Sequence, residues 1–183
     1  MRESIVIAYP VGQSGQTIIF ADSVIAHFRR HRQRRARHKE AGGQLFARIE
    51  ELNIIVLEAT GPRANDIRTR TSYVPHRPSE QREIEERHRR NLHFVGDWHT
   101  HPESIPSPSH TDARNIAECV KRSKHELNAF LLVVVGSAEP PGGIQVSICD
   151  GESSDILKPS NDKACEPADS SENSGKRRSN TRK

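Results

Sequence analysis

His99 and His101 stand two positions apart in the run GDWHTHPESIPSPSHTD, residues 96–112. If that run opens as a strand, alternate side chains share a face, so both imidazoles point one way while Trp98 and Thr100 point the other. Two imidazoles on one side of a strand end make a bidentate start for a zinc site. The third ligand must arrive from elsewhere. Asp112 suits it, because a carboxylate in the first turn of a helix faces the strand end once the loop Pro102–Pro108 folds back. Three protein ligands leave a fourth position for water, which is the coordination of a catalytic rather than a structural zinc. The same residues admit plainer roles. Ser109-His-Thr-Asp112 is also a capping box at a helix start, and the two histidines are among ten in the chain. Capping and metal binding are compatible.

A water on such a metal needs a base beside it. Glu40, in HKEAGGQLFARI (residues 38–49), precedes two glycines and a β-rich run, which puts it at a strand entrance. Glycines there allow close backbone approach and unusual φ angles, and a carboxylate in that place can take a proton from water and hand it to a leaving amine. The competing account makes Gly42 or Gly43 the C′ glycine of a preceding helix; it leaves the His-x-His pair unconnected.

The surrounding pattern supplies elements to hold these groups. Ser4–Ala8 and Gln16–Ala21 read as β-rich runs around a Gly-Gln-Ser-Gly turn. A helix follows from Asp22 to about Lys39, capped by Asp22 or Ser23, with Val24, Ile25 and Phe28 on its apolar face. Gln44–Ile49 and Asn53–Thr60 read as strands, and Arg68–Val74 as another. Ser79–Asn91 reads as a polar helix, Phe94–His101 as a strand and Ser109–Lys124 as an amphipathic helix with Ala113, Ile116, Ala117 and Val120 at helical spacing. Phe130–Gly136 and Gly143–Cys149 close the set. Interleaved strands and helices predict an α/β domain around one mixed sheet, occupying residues 1–151. From 152 to 183 the chain is polar and charged with few large apolar side chains, and is expected to be a disordered tail.

Composition narrows the function. With 183 residues the chain suits one domain and a tail, and aromatics are only 4%. The mean hydropathy is −0.76. The net charge of +4 does not by itself argue for nucleic acid. The basic run FRRHRQRRARHK (residues 28–39) lacks an aromatic platform and reads as a solvated helix face, with an acidic protein partner as the next reading. No apolar run is long enough to span a bilayer. Three cysteines without a CxxC pair indicate neither a disulfide framework nor a cysteine zinc site, so a soluble, reducing, cytoplasmic setting is expected.

His99-Thr-His101, seven residues, then Ser109-x-x-Asp112, with Glu40 upstream, resembles the JAMM motif of the JAB1/MPN/Mov34 metallopeptidases. EAGGQLF is similar to the entry strand of their bacterial members, and VGDWHTHPE…PSPS…D resembles the bacterial JAB branch of integrative and conjugative elements and of CBASS-associated JAB isopeptidases. The resemblance covers roughly residues 16–150. It implies a single JAB/MPN domain, a cytidine-deaminase-like α/β sandwich. It also implies one Zn2+ per chain on His99, His101 and Asp112, Glu40 as general base and then acid, and Ser109 as a hydrogen-bond donor to the oxyanion. The implied reaction is hydrolysis of a peptide or isopeptide bond after the C-terminus of a ubiquitin-like protein, freeing it from a conjugated protein. The implied partners are that conjugate and E1-like and E2-like enzymes of the same operon; neither a specific nucleic acid nor a membrane is expected. Two alternatives stay open: a non-catalytic MPN-type scaffold, and a JAB protease acting on a sulfur-carrier protein. Substrate-contacting insertions of the family correspond to Arg63–His93, where Arg68 and Arg70 are expected to meet acidic groups.

Overall fold

The computed structural model describes residues 7–160. Its main sheet has eight strands: β1 Ile7–Pro10, β2 Thr17–Phe20, β3 Gly42–Ile49, β4 Asn53–Ala59, β7 His93–Thr100, β8 Phe130–Val135, β9 Ile144–Cys149 and β10 Ser154–Leu157. They lie in the order β1-β2-β4-β3-β7-β8-β9-β10, and a separate hairpin pairs β5 Ile67–Arg68 with β6 Tyr73–Val74. The β2–β4 and β7–β8 pairs are parallel and the others antiparallel, so the sheet is mixed, as its alternation of runs predicts. Its two edges curl toward each other: Ser160 N donates to Ala8 O at 2.8 Å.

β8 shows why both faces need cover. Its sequence FLLVVV has no polar position, and all six residues are buried. Leu131, Val133 and Val135 join the larger core, where helix α1 (Asp22–His31) places Val24, Ile25 and Phe28. Phe130, Leu132 and Val134 face the opposite way, onto Ile116 and Val120 of helix α3 (His110–Arg122). An uninterrupted apolar strand between two helical layers is what a doubly covered sheet demands. Helix α2 (Arg77–His88) flanks β7 and β3.

Several boundaries differ from the sequence expectation. α1 stops at His31, not near Lys39, because Arg32 turns extended (φ −52°, ψ 140°). Its buried guanidinium reaches across to the Ser137 and Ala138 carbonyls at 3.2 and 2.8 Å and to Glu139. Two thirds of the basic run, residues 32–39, therefore lie outside the helix, and it is not one solvated helical face. The N-cap is Ala21, with no side-chain cap; Ser23 Oγ donates instead to Leu57 O at 3.1 Å. Arg68–Val74 is a tight hairpin rather than one strand. β10 carries the sheet past residue 151, where composition suggested the tail begins, and Leu157 is buried in the larger core. One inward leucine and four ladder positions hold this strand, too little to show in composition. The expected disorder of 161–183 falls outside the described residues.

Candidate metal centre and active site

A bulge sets the direction of the histidines. Where β3 meets β7 the register shifts between Leu45 and Phe46, opposite Gly96 and Phe94. Gly96 has φ +148°, and a Cβ there would collide with the Leu131 backbone. One extra residue resets the side-chain alternation. Val95 and Trp98 both enter the larger core, while Asp97 and His99 emerge on the α3 side. Without the bulge His99 would share the face of Val95, away from α3.

Asp112 approaches from that helix as expected. Ser109 is the N-cap of α3, and the capping box is complete: Asp112 N donates to Ser109 Oγ at 3.2 Å, and Ser109 N donates to Asp112 Oδ2 at 2.7 Å. The same Oδ2 lies 3.3 Å from His99 Nε2 and 3.5 Å from His101 Nε2, and the two imidazole nitrogens are 3.1 Å apart. Cap and cluster thus share one carboxylate. A tetrahedral zinc with bonds of about 2.0–2.1 Å separates its ligands by roughly 3.3 Å. The three atoms therefore fit one face of such a tetrahedron, and two imidazoles with a carboxylate are a donor set that zinc accepts. Glu40 also offers a carboxylate oxygen within 4.8 Å of both imidazoles. Both carboxylates face the pair, and Asp112 is the nearer. Glu103 Oε2 lies 3.4 Å from His101 Nδ1, where a carboxylate orients a metal-binding imidazole.

Glu40 reaches the cluster from the chain just before β3. Gly42 pairs with His99 and Gly43 with Trp98 across the β3–β7 ladder, so Glu40 is delivered beside the histidines by strand register. At Gly43 a Cβ would collide with the Thr60 carbonyl. The glycines serve close packing here; α1 ends eleven residues before Gly42, so they cap no helix.

The carboxylates are driven apart in acidity. Burial alone would raise Asp112, but hydrogen bonds from His101 and His99 outweigh it and hold the group well below the usual carboxylate range. The Asp112 hydrogen bond raises His101 against the lowering effect of burial. Burial raises Glu40, and the neighbouring histidines offset only part of that rise. Asp97, one turn of the pleat behind His99, is pushed up to about 7, by burial first and then by Glu80.

A cavity of about 100 Å3 opens on the cluster, bounded by Glu40, Tyr73, Pro75, His99, Asp112 and Asn115. Through Arg77, Glu80 and Asp97 it meets a groove of about 1200 Å3 whose walls include Ile84 of α2 and Cys119 of α3. All five residues expected at the site, Glu40, His99, His101, Ser109 and Asp112, are brought together. Arg68 is not where it was expected: its guanidinium caps the carbonyls of Glu40 and Lys39, at 2.6 and 3.4 Å, rather than an acid. Sequence reasoning also missed Arg63, whose side chain joins Glu83, Tyr73, Gln44 and Thr60 beside the cavity. An arginine in a turn carries no outward sign of burial.

The chain matches the family of prokaryotic homologues of the JAB domain over residues 21–148. It belongs to that prokaryotic JAB family. Among relatives of this JAB domain, a CD-NTase/cGAS isopeptidase of Escherichia coli is 25% identical over 101 residues, covering 54% of this chain and 65% of the relative. The Pseudomonas aeruginosa protein of the same name is 31% identical over 122 residues, covering 64% and 75%. A probable metalloprotease, y4qB, of Sinorhizobium fredii is 29% identical over 117 residues, covering 61% and 63%. The match to the Escherichia coli relative spans just under two thirds of its length. The fold also resembles the solution structure of protein DSY2949 from Desulfitobacterium hafniense, with TM-score 0.51, 18% identity and coverage of 73% of this chain and 84% of that one. No helix among the described residues is long and apolar enough to cross a membrane.

Proposed function

We propose that this JAB-domain protein is a zinc-dependent isopeptidase that releases a ubiquitin-like modifier, or a C-terminal tail, from a protein conjugate. The observation that carries the reading is the convergence of His99 Nε2, His101 Nε2 and Asp112 Oδ2 at 3.1–3.5 Å, with the Glu40 carboxylate beside them. The isopeptidase and metalloprotease names of the relatives support it.

His99, His101 and Asp112 would hold one zinc. Bound there, zinc would supply Lewis-acid polarisation of a carbonyl and acidify water. The remaining chemistry belongs to side chains. Asp112, held anionic, suits a ligand; Glu40, raised in basicity by burial, suits a group that takes a proton and gives it back. Glu40 accepts the proton of the attacking water as the O–C bond forms. It then delivers that proton to the departing lysine nitrogen as the C–N bond breaks, leaving a carboxylate on the modifier and a free amine on the target. Ser109 Oγ already accepts the Asp112 N–H, so its own proton is free to donate to the oxygen that gains charge. The small cavity admits a thin chain end such as Gly-Gly, and the wider groove accommodates the chain leading to it. No cysteine takes part.

The test is cleavage of a ubiquitin-like protein joined through its C-terminal glycine to the ε-amine of a fluorescent lysine. Chelator should abolish cleavage, zinc should restore it and thiol alkylation should leave it unchanged. Cleavage that survives chelator and dies on alkylation would overturn the reading. Absence of cleavage on conjugates built from neighbouring genes, with zinc bound, would favour a scaffold.

A further inference from the structure

The chain that carries Glu40 lies outside the β3 ladder, yet its carboxylate must stay in register with two imidazoles on β7. On the side of β7 away from those imidazoles, a buried hydrogen-bond chain ties the two together. Thr100 sits between His99 and His101 and is fully buried; Gln33, just past the end of α1, is 5% exposed. Ala41 N donates to Thr100 Oγ1 at 2.9 Å, and Thr100 Oγ1 donates to Gln33 Oε1 at 3.1 Å. Gln33 Nε2 then donates to His38 O at 3.2 Å and to Arg70 O at 2.9 Å. Thr100 N also donates to Ala41 O at 2.8 Å.

Every polar atom of this chain is used. The two carbonyls facing Nε2 require it to be the NH2 end of the amide, which fixes the amide orientation. The Thr100 hydroxyl accepts once and donates once, so its rotor is fixed as well. Three segments meet at one glutamine: the histidine strand through Thr100, the residues before and after Glu40 through His38 and Ala41, and the β5–β6 turn through Arg70. That turn also holds Glu40 directly, since Glu40 N donates to Thr69 O at 2.7 Å. A buried polar network this complete fixes one geometry, because any loosening strands a donor or acceptor away from water.

We infer that Gln33 and Thr100 are positioning residues for the reaction proposed above. Their hydrogen-bond chain holds the Glu40 carboxylate at its working distance from the His99–His101 pair without touching substrate or metal. The inference rests on Glu40 being the base, but the linkage has its own readout in the backbone amides around Glu40.

Thr100→Val keeps shape and removes the hydroxyl; Gln33→Met keeps volume and removes the amide; Thr100→Ser restores the hydroxyl. Each is loaded with zinc and compared with the parent by metal content, by cleavage of the fluorescent-lysine conjugate and by hydrogen exchange of the amides of residues 39–41 and of β8. Thr100→Val and Gln33→Met should keep one zinc per chain and a KM within about twofold of the parent. Displacement of a reacting group by about 1 Å costs on the order of 10²-fold, so kcat should fall by about that factor. Exchange at residues 39–41 should quicken while β8 stays protected, and Thr100→Ser should return both to parental values. Parental exchange at residues 39–41 in both deletion variants would overturn the inference. So would a kcat loss that accompanies loss of zinc or faster exchange in β8, since that is ordinary core damage. If Glu40→Gln cleaves normally, the assignment of the base fails, and the exchange data alone still decide whether the linkage exists.

Discussion

Replacing Arg63 with methionine should be among the most damaging single changes outside the metal cluster. Its side chain is 9% exposed and its guanidinium forks onto Glu83 at 2.8 and 2.6 Å, with Glu80 at 3.6 Å and Asp66 at 3.8 Å. Burial works against its charge, but Glu83 and the other acids outweigh this and keep the guanidinium protonated. Methionine fills similar volume and leaves those carboxylates without the cation. Removing one partner of a buried pair typically costs about 3–5 kcal/mol. The lower end applies here, because Asp66 keeps bonds from Arg63 N, Tyr73 and His76, and Glu80 keeps Arg77 at 2.9 Å. A loss of about 3 kcal/mol in a domain of this size lowers Tm by roughly 6–12 °C. Arg63→Lys keeps the charge but not the fork, and should fall between parent and methionine. Thermal unfolding of the three proteins at pH 7 in chelator decides the matter. A Tm drop under about 2 °C for Arg63→Met, or a lysine variant equal to the parent, would refute the role of the network. The same segment carries Tyr73, which walls the small cavity, so Arg63→Met should also raise KM.

His31 stacks beside Trp98 and is lowered to about 4, by burial first and then by His27, Arg68 and Arg30. Its folded pKa lies below the unfolded value, so its stabilisation is complete above pH 6.5 and is lost as pH falls toward 4. The shift sets a ceiling of about 3 kcal/mol, reduced to about 1–2 because the ring is only half-buried, and His31→Phe should remove that part of the acid sensitivity in urea titrations at pH 7 and 4.5; a variant with parental pH dependence would contradict it. Leu157→Ala should destabilise the domain by about 2–3 kcal/mol if β10 is part of the core, and a change under about 0.5 kcal/mol in the urea midpoint analysis would show that the strand adds little. The double variant His99→Ala, His101→Ala should lose its zinc by elemental analysis, and full occupancy would remove the metal assignment.

The geometry of the candidate site was more legible than the frame around it. His99, His101, Ser109 and Asp112 lie within fourteen positions; strand alternation puts the two imidazoles on one face and helix capping turns Asp112 inward, both local rules, whereas the bulge against β3 that aims the imidazoles at α3 depends on a distant strand. Glu40 was legible because two glycines mark a close strand crossing, and Gly43 does lie against Thr60. The apolar face of α1 and the all-apolar β8 also announced themselves, since burial there follows residue type. What escaped was set by distant partners. Arg32 ends α1 by bonding carbonyls more than a hundred residues away, and a run of arginines gives no hint which one turns inward. Gln33 and Arg63 are polar residues whose burial depends on carbonyls and acids supplied by other segments. β10 was missed because only Leu157 commits it to the core.

In the proposed reaction Glu40 moves the proton at a metal held by His99, His101 and Asp112. Single-turnover cleavage of the fluorescent-lysine conjugate by zinc-loaded Glu40→Gln, with metal content measured on the same sample, tests it most directly. One zinc per chain and a rate lowered by about 10²–10⁴-fold are expected. A parental rate with zinc bound would contradict it.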